Sequence, residues 1–159
     1  MSEIHREQIR LLTSPVDQDT PGLGARFIVI CPENSPSVMS KGKDIMLTIN
    51  KHSFPDKSWP SVEQWINILP SFFTSRFISE SKNVNDDDVF SLETWLYWMQ
   101  PTNRAWYWWD SALFSDPIKD THFVVSVKSA NELPCFSATT LKWLFKACGA
   151  DNILSEEEL

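Results

Sequence analysis

Three observations predict an α+β fold, with an antiparallel sheet packed against three or four helices. Arg104–Phe114 and Thr121–Lys128 read as neighbouring strands. Capped segments elsewhere carry apolar stripes at helical spacing. Strands and helices do not alternate strictly along the chain, as a parallel sheet would require.

From the start of the chain, residues 3–13 (EIHREQIRLLT) offer a weak helical stripe of Ile4, Ile9, Leu11 and Leu12. The following SPVDQDTPGLG is a loop by its Pro15, Pro21, Gly22 and Gly24. Ala25–Cys31, with Ile28, Val29 and Ile30, reads as a buried strand that Pro32 stops. A further loop, PENSPSVMSKGK, leads to Asp44–Asn50. There Ile45, Leu47 and Ile49 alternate with Met46, Thr48 and Asn50, which predicts a strand with one buried face.

Ser61 and Gln64 have capping-box spacing, so each side chain can satisfy a free backbone donor at a helix start. Val62, Trp65, Ile66 and Leu69 form the buried side of that helix, and Pro70 ends or kinks it. Ser71–Ser79 continues as further helical turns. Glu80–Asp88 is the most polar stretch and reads as an exposed loop. Ser91 caps a short helix with Leu92, Trp95, Leu96 and Met99 on one face, closed by Pro101.

Asp116-Pro117 marks the turn between the two strands, and Phe123, Val125 and Val127 alternate in the second. Ser137 is placed to cap a last helix with Leu141, Leu144, Phe145 and Cys148 inward. Gly149 stands at the position after a helix that favours glycine. A single domain over 1–159 is expected, flexible at 1–24 and 155–159.

The 159 residues are 42% hydrophobic and 13% aromatic, with 8 Trp and 10 Phe, far too apolar for a disordered chain. A core of this size needs neither disulfide nor metal. No run approaches the length of a membrane span, and Met1–Arg6 is followed by no apolar leader, so neither membrane nor secretion is expected. Three scattered cysteines fit a reducing cytoplasm.

The charge is uneven. Residues 1–82 are neutral overall, and residues 83–159 hold the entire net charge of -7. An acidic half repels phosphate backbones, which argues against nucleic acid, and attracts basic proteins.

Chemical motifs are absent. His5, His52 and His122 are scattered, and no cysteine stands close to another, so no metal is expected. The calcium-like start at Asn83, Asn85 and Asp87 has Asp88 where glycine is required and Thr94 where glutamate is required. Gly22-Leu23-Gly24 precedes a strand rather than opening a helix, so no nucleotide cofactor is expected. A thiol nucleophile built from His122 with Cys135 or Cys148 competes with a plain core role for both cysteines, and the core role is preferred. The chain is therefore not expected to be an enzyme.

The run Trp106-Tyr107-Trp108-Trp109 is the unusual feature. On a strand, Trp106 and Trp108 share one face, and Tyr107 and Trp109 the other. One helical layer covers one face, so two large aromatics are expected near the surface, unless both faces are covered. Exposed Trp and Tyr dominate protein interfaces and also stack on sugars and bases.

The segments RAWYWWDSALF, HFVVSVKSANELP and SATTLKWLFKACGA are similar to those of small bacterial immunity proteins, which neutralise a toxin encoded beside them. That resemblance implies a tight complex with a cognate toxin, and the failed motifs leave no cofactor expected. The candidate partner-binding residues are Asp86, Asp87, Asp88, Trp106, Tyr107, Trp108, Trp109, Asp110 and Asp116, facing a basic toxin. The competing expectation is a small ligand-binding or accessory domain with Trp106 or Trp108 as a stacking platform.

Overall fold

The computed structural model describes residues 3–13, 24–31, 34–53, 58–80, 91–113, 122–130 and 138–155. Six helices and four strands run in the order α1 (Glu3–Thr13), β1 (Gly24–Ile30), α2 (Ser35–Lys51), α3 (Val62–Ile68), α4 (Ser71–Glu80), α5 (Leu92–Met99), β2 (Trp106–Leu113), β3 (His122–Ser129), α6 (Thr139–Ala147) and β4 (Asn152–Ser155). The strands form one antiparallel sheet ordered β2-β3-β1-β4. The α+β class stands, with six helices among the described residues instead of three or four.

Alternation decides the sheet's inner face. Phe123, Val125 and Val127 of β3 are buried, with Phe27 and Val29 of β1, Ile153 of β4 and Trp106 and Trp108 of β2. Helices α2 and α6 pack toward this face, and α4 and α5 pack on α6. The indole N–H groups of Trp95 and Trp106 both bond to Thr140, at its carbonyl (3.0 Å) and its hydroxyl (2.8 Å). Two bulky aromatics thereby pin the first turn of α6 while keeping their donors satisfied.

Several local expectations hold. Ser61 and Gln64 make both bonds of the capping box on α3. Ser91 caps α5, whose buried residues are Leu92, Trp95, Leu96 and Met99. Gly149 adopts φ 114°, which glycine reaches without a steric penalty. Ser137 lies outside the described residues, and Ala138, next to α6, provides no side-chain cap.

Four readings are corrected. Asp44–Asn50 is the C-terminal half of α2, not a strand. Val38, Gly42, Ile45, Met46 and Ile49 are buried at helical spacing, and this longer period overrides the short alternation. The loop assigned to residues 32–43 is in large part helix for the same reason. Its Gly42 serves close packing, because a Cβ there would come within 2.6 Å of Phe145 Cε1. On α3, Trp65 and Leu69 are buried but Ile66 is 40% exposed. Finally, Asn152–Ser155 forms β4 against β1, so Ser155 belongs to the sheet.

Candidate functional site

Strand β2 is an edge of the sheet, which normally leaves a row of unpaired backbone groups. At Trp106 and Trp108 side chains close it. Glu7 of α1 accepts the Trp108 N–H, Arg10 Nε donates to the Trp108 carbonyl (2.9 Å), and Arg104 Nε donates to the Trp106 carbonyl (3.1 Å). Glu7 is fully buried, and Arg104 Nη2 reaches its carboxylate at 2.6 Å with both side chains at 0% exposure. Asn50 completes the cluster, donating to Glu7 Oε1 at 2.8 Å and accepting from Arg104 Nη1 at 3.4 Å. Such a buried pair is tolerated because each nitrogen of the guanidinium and each oxygen of the carboxylate has a hydrogen-bond partner.

The aromatic run sits inside this arrangement. Trp106 and Trp108 are 0% and 1% exposed, and Trp108 packs against Phe145 with ring centroids 5.6 Å apart. They are therefore withdrawn from the partner-binding set. The helical layer claims the inner face of β2, so neither indole offers a platform to a ligand. Tyr107 and Trp109 lie on the opposite face, as alternation requires, but are half-buried. The Arg104 guanidinium stands 5.0 Å from the Tyr107 ring, and Arg10 stands 4.5 Å from that of Trp109. A register shift between Trp108 and Asp110 sets Asp110 opposite Ser126, and Trp109 is the extra residue of the bulge. Asp86, Asp87, Asp88 and Asp116 lie outside the described residues.

The exposed aromatic surface is elsewhere. Tyr97 and Trp98 of α5 are 52% and 47% exposed, with their rings in edge contact at 5.1 Å between centroids. Both fall off the stripe that buries Trp95, Leu96 and Met99, which is why the helix presents them outward. Their backbone is held, since the Tyr97 carbonyl accepts from Asn103 Nδ2 at 2.9 Å and from the Gln100 N–H at 3.4 Å. Two large apolar rings on the polar side of an amphipathic helix were the sequence signal, and the longer aromatic run of β2 overshadowed it.

An open cleft of about 490 Å³ lies between the end of α2 and α3, lined by His52, Trp59, Pro60, Gln64, Asn67 and Ile68 together with Ser58. The buried Trp65 ring touches both His52 (5.1 Å) and Trp59 (5.0 Å). His52 Nδ1 meets the Thr48 carbonyl at 3.1 Å, which makes Nδ1 the donor and leaves Nε2 as an acceptor in the neutral ring.

The two described thiols are poor nucleophiles. Burial pushes the Cys148 thiol up to about 12, with nearby Lys41 opposing and Asp44 adding to the effect. Burial, then the charge of Asp151, raises Cys31 to about 11. Both stay protonated near neutral pH, where a thiolate would be needed for attack. Among the described residues no group of three or more His, Cys, Asp or Glu could hold a metal ion, and no helix is long and apolar enough to cross a membrane.

Comparison with family models, with curated proteins and with solved structures finds no match.

Proposed function

We propose that the chain is an immunity-type binding protein that neutralises a basic bacterial toxin in the cytoplasm through one tight interface. The observation that carries this reading is the Tyr97–Trp98 pair, two large aromatics in mutual contact on a helix anchored from behind. Tyr and Trp are enriched among the few residues that supply most interface energy. A backbone already held in place reduces the ordering cost of binding. The basic character of the partner follows from the charge, because residues 83–159 carry the whole net charge of -7 and Asp86, Asp87 and Asp88 stand just before α5 in the sequence. Such charges raise association rates with a basic partner.

The test is binding and protection against the protein encoded beside this chain. Tyr97→Ala and Trp98→Ala should each weaken the complex by about 2 kcal/mol or more, mainly through faster dissociation. Neutralising Asp86, Asp87 and Asp88 together should slow association, with an effect that fades in high salt. A chain that neither binds that neighbour nor relieves its toxicity rules the reading out.

A further inference from the structure

We propose that the cleft between α2 and α3 is a second binding site, separate from the α5 aromatic pair, for a neutral saccharide ring. Its volume of about 490 Å³ lies in the range of small-ligand sites. The described lining contains no Asp, Glu, Lys or Arg. What it offers is an indole with two small apolar neighbours and a set of uncharged polar groups.

Trp59 is half-buried and tilted 57° against Trp65, which holds the platform from beneath. Pro60 and Ile68 extend the apolar surface, and Ile68 is 36% exposed. The polar groups are of both kinds. His52 has Nδ1 committed to the Thr48 carbonyl, which leaves Nε2 as its remaining hydrogen-bonding atom. Gln64 spends its Oε1 on the Ser61 N–H in the capping box, which orients the amide and leaves its Nε2 donors for the cleft. Asn67 adds an exposed amide with a donor end and an acceptor end. The Trp65 indole N–H, behind Trp59, is buried without a hydrogen-bond partner among the described residues.

A pyranose ring matches this arrangement. Its C–H face covers an indole, and its hydroxyls both donate and accept, as the amides of Gln64 and Asn67 do. A flat base would also stack on Trp59, but its edge would meet only part of this mixed set.

The experiment is a titration of the whole protein, observing the indole N–H signals of Trp59 and Trp65 by NMR. The probes are methyl β-glucoside, N-acetylglucosamine, maltose and, as a base-bearing control, adenosine. At least one saccharide should shift both signals saturably, with a dissociation constant of about 1 mM or tighter. Asn67→Ala should weaken that binding at least tenfold with an unchanged melting temperature, and Trp59→Ala should abolish the shift of the Trp65 signal. The proposal fails if no saccharide gives saturable shifts, if adenosine alone does, or if Asn67→Ala binds saccharide as the parent does.

Discussion

Two short runs rich in Trp and Tyr, Trp95–Met99 and Trp106–Trp109, have opposite fates. In α5 the residues step around an axis, so a helix packed on one side buries Trp95, Leu96 and Met99 and leaves Tyr97 and Trp98 half-exposed against each other. In β2 they alternate between two faces, and both faces have cover. Helices take Trp106 and Trp108, while Arg104 and Arg10 lie over Tyr107 and Trp109. The difference teaches that aromatic content does not locate an interface; what covers the second face does. A guanidinium can serve as that cover because its stem is apolar and its charged plane stacks on rings.

This contrast can be broken from the strand side first. Arg104→Ala should cost about 3–5 kcal/mol in urea unfolding, because it leaves the Glu7 carboxylate buried without its counter-charge and the Trp106 carbonyl without its donor. A loss under about 1 kcal/mol would mean that the edge clamp adds little to the fold. Trp108→Ala should cost about 3–5 kcal/mol by removing a fully enclosed indole from its contact with Phe145.

Gly42→Ala tests the layer behind that contact. Alanine is the better helix former, yet its Cβ would stand 2.6 Å from the buried Phe145 ring. A net loss of about 1–3 kcal/mol is expected, and a stabilised variant would show that Phe145 can move aside. The smallest effect belongs to the helix side. Tyr97→Ala and Trp98→Ala should change stability by no more than about 0.5 kcal/mol, because both rings keep large solvent-facing surfaces. A loss above about 2 kcal/mol in thermal or urea unfolding would place these rings in the core economy of the fold and remove the contrast.

Elements governed by neighbours in sequence were the legible ones. The Ser61–Gln64 box, the Ser91 cap, the stripe Leu92, Trp95, Leu96 and Met99, and the alternation Phe123, Val125 and Val127 each involve residues within a few positions. Asp44–Asn50 misled because Ile45, Leu47 and Ile49 satisfy a two-residue period over a window too short to reveal the helical one. Val38 and Gly42, further back, carry the deciding evidence. The short β4 had little signal of its own, since a four-residue strand draws its stability from pairing with β1. Helix α1 looked weak because the middle of its buried face is Glu7, a residue no hydrophobic pattern counts.

The sequence by itself determined the fold class, the Ser61 and Ser91 caps, the pairing of β2 with β3 and the two faces of the aromatic strand, because backbone geometry and local hydrogen bonds decide these. Tertiary structure alone decided which aromatics remain at the surface. Glu7 and Arg104 are 97 positions apart, and Arg10 and Trp108 are 98 apart, so no window of sequence holds either contact. The bulge at Trp109 is likewise a property of two strands together. Exposure depends on what the rest of the chain brings to each face, and only the folded chain brings it.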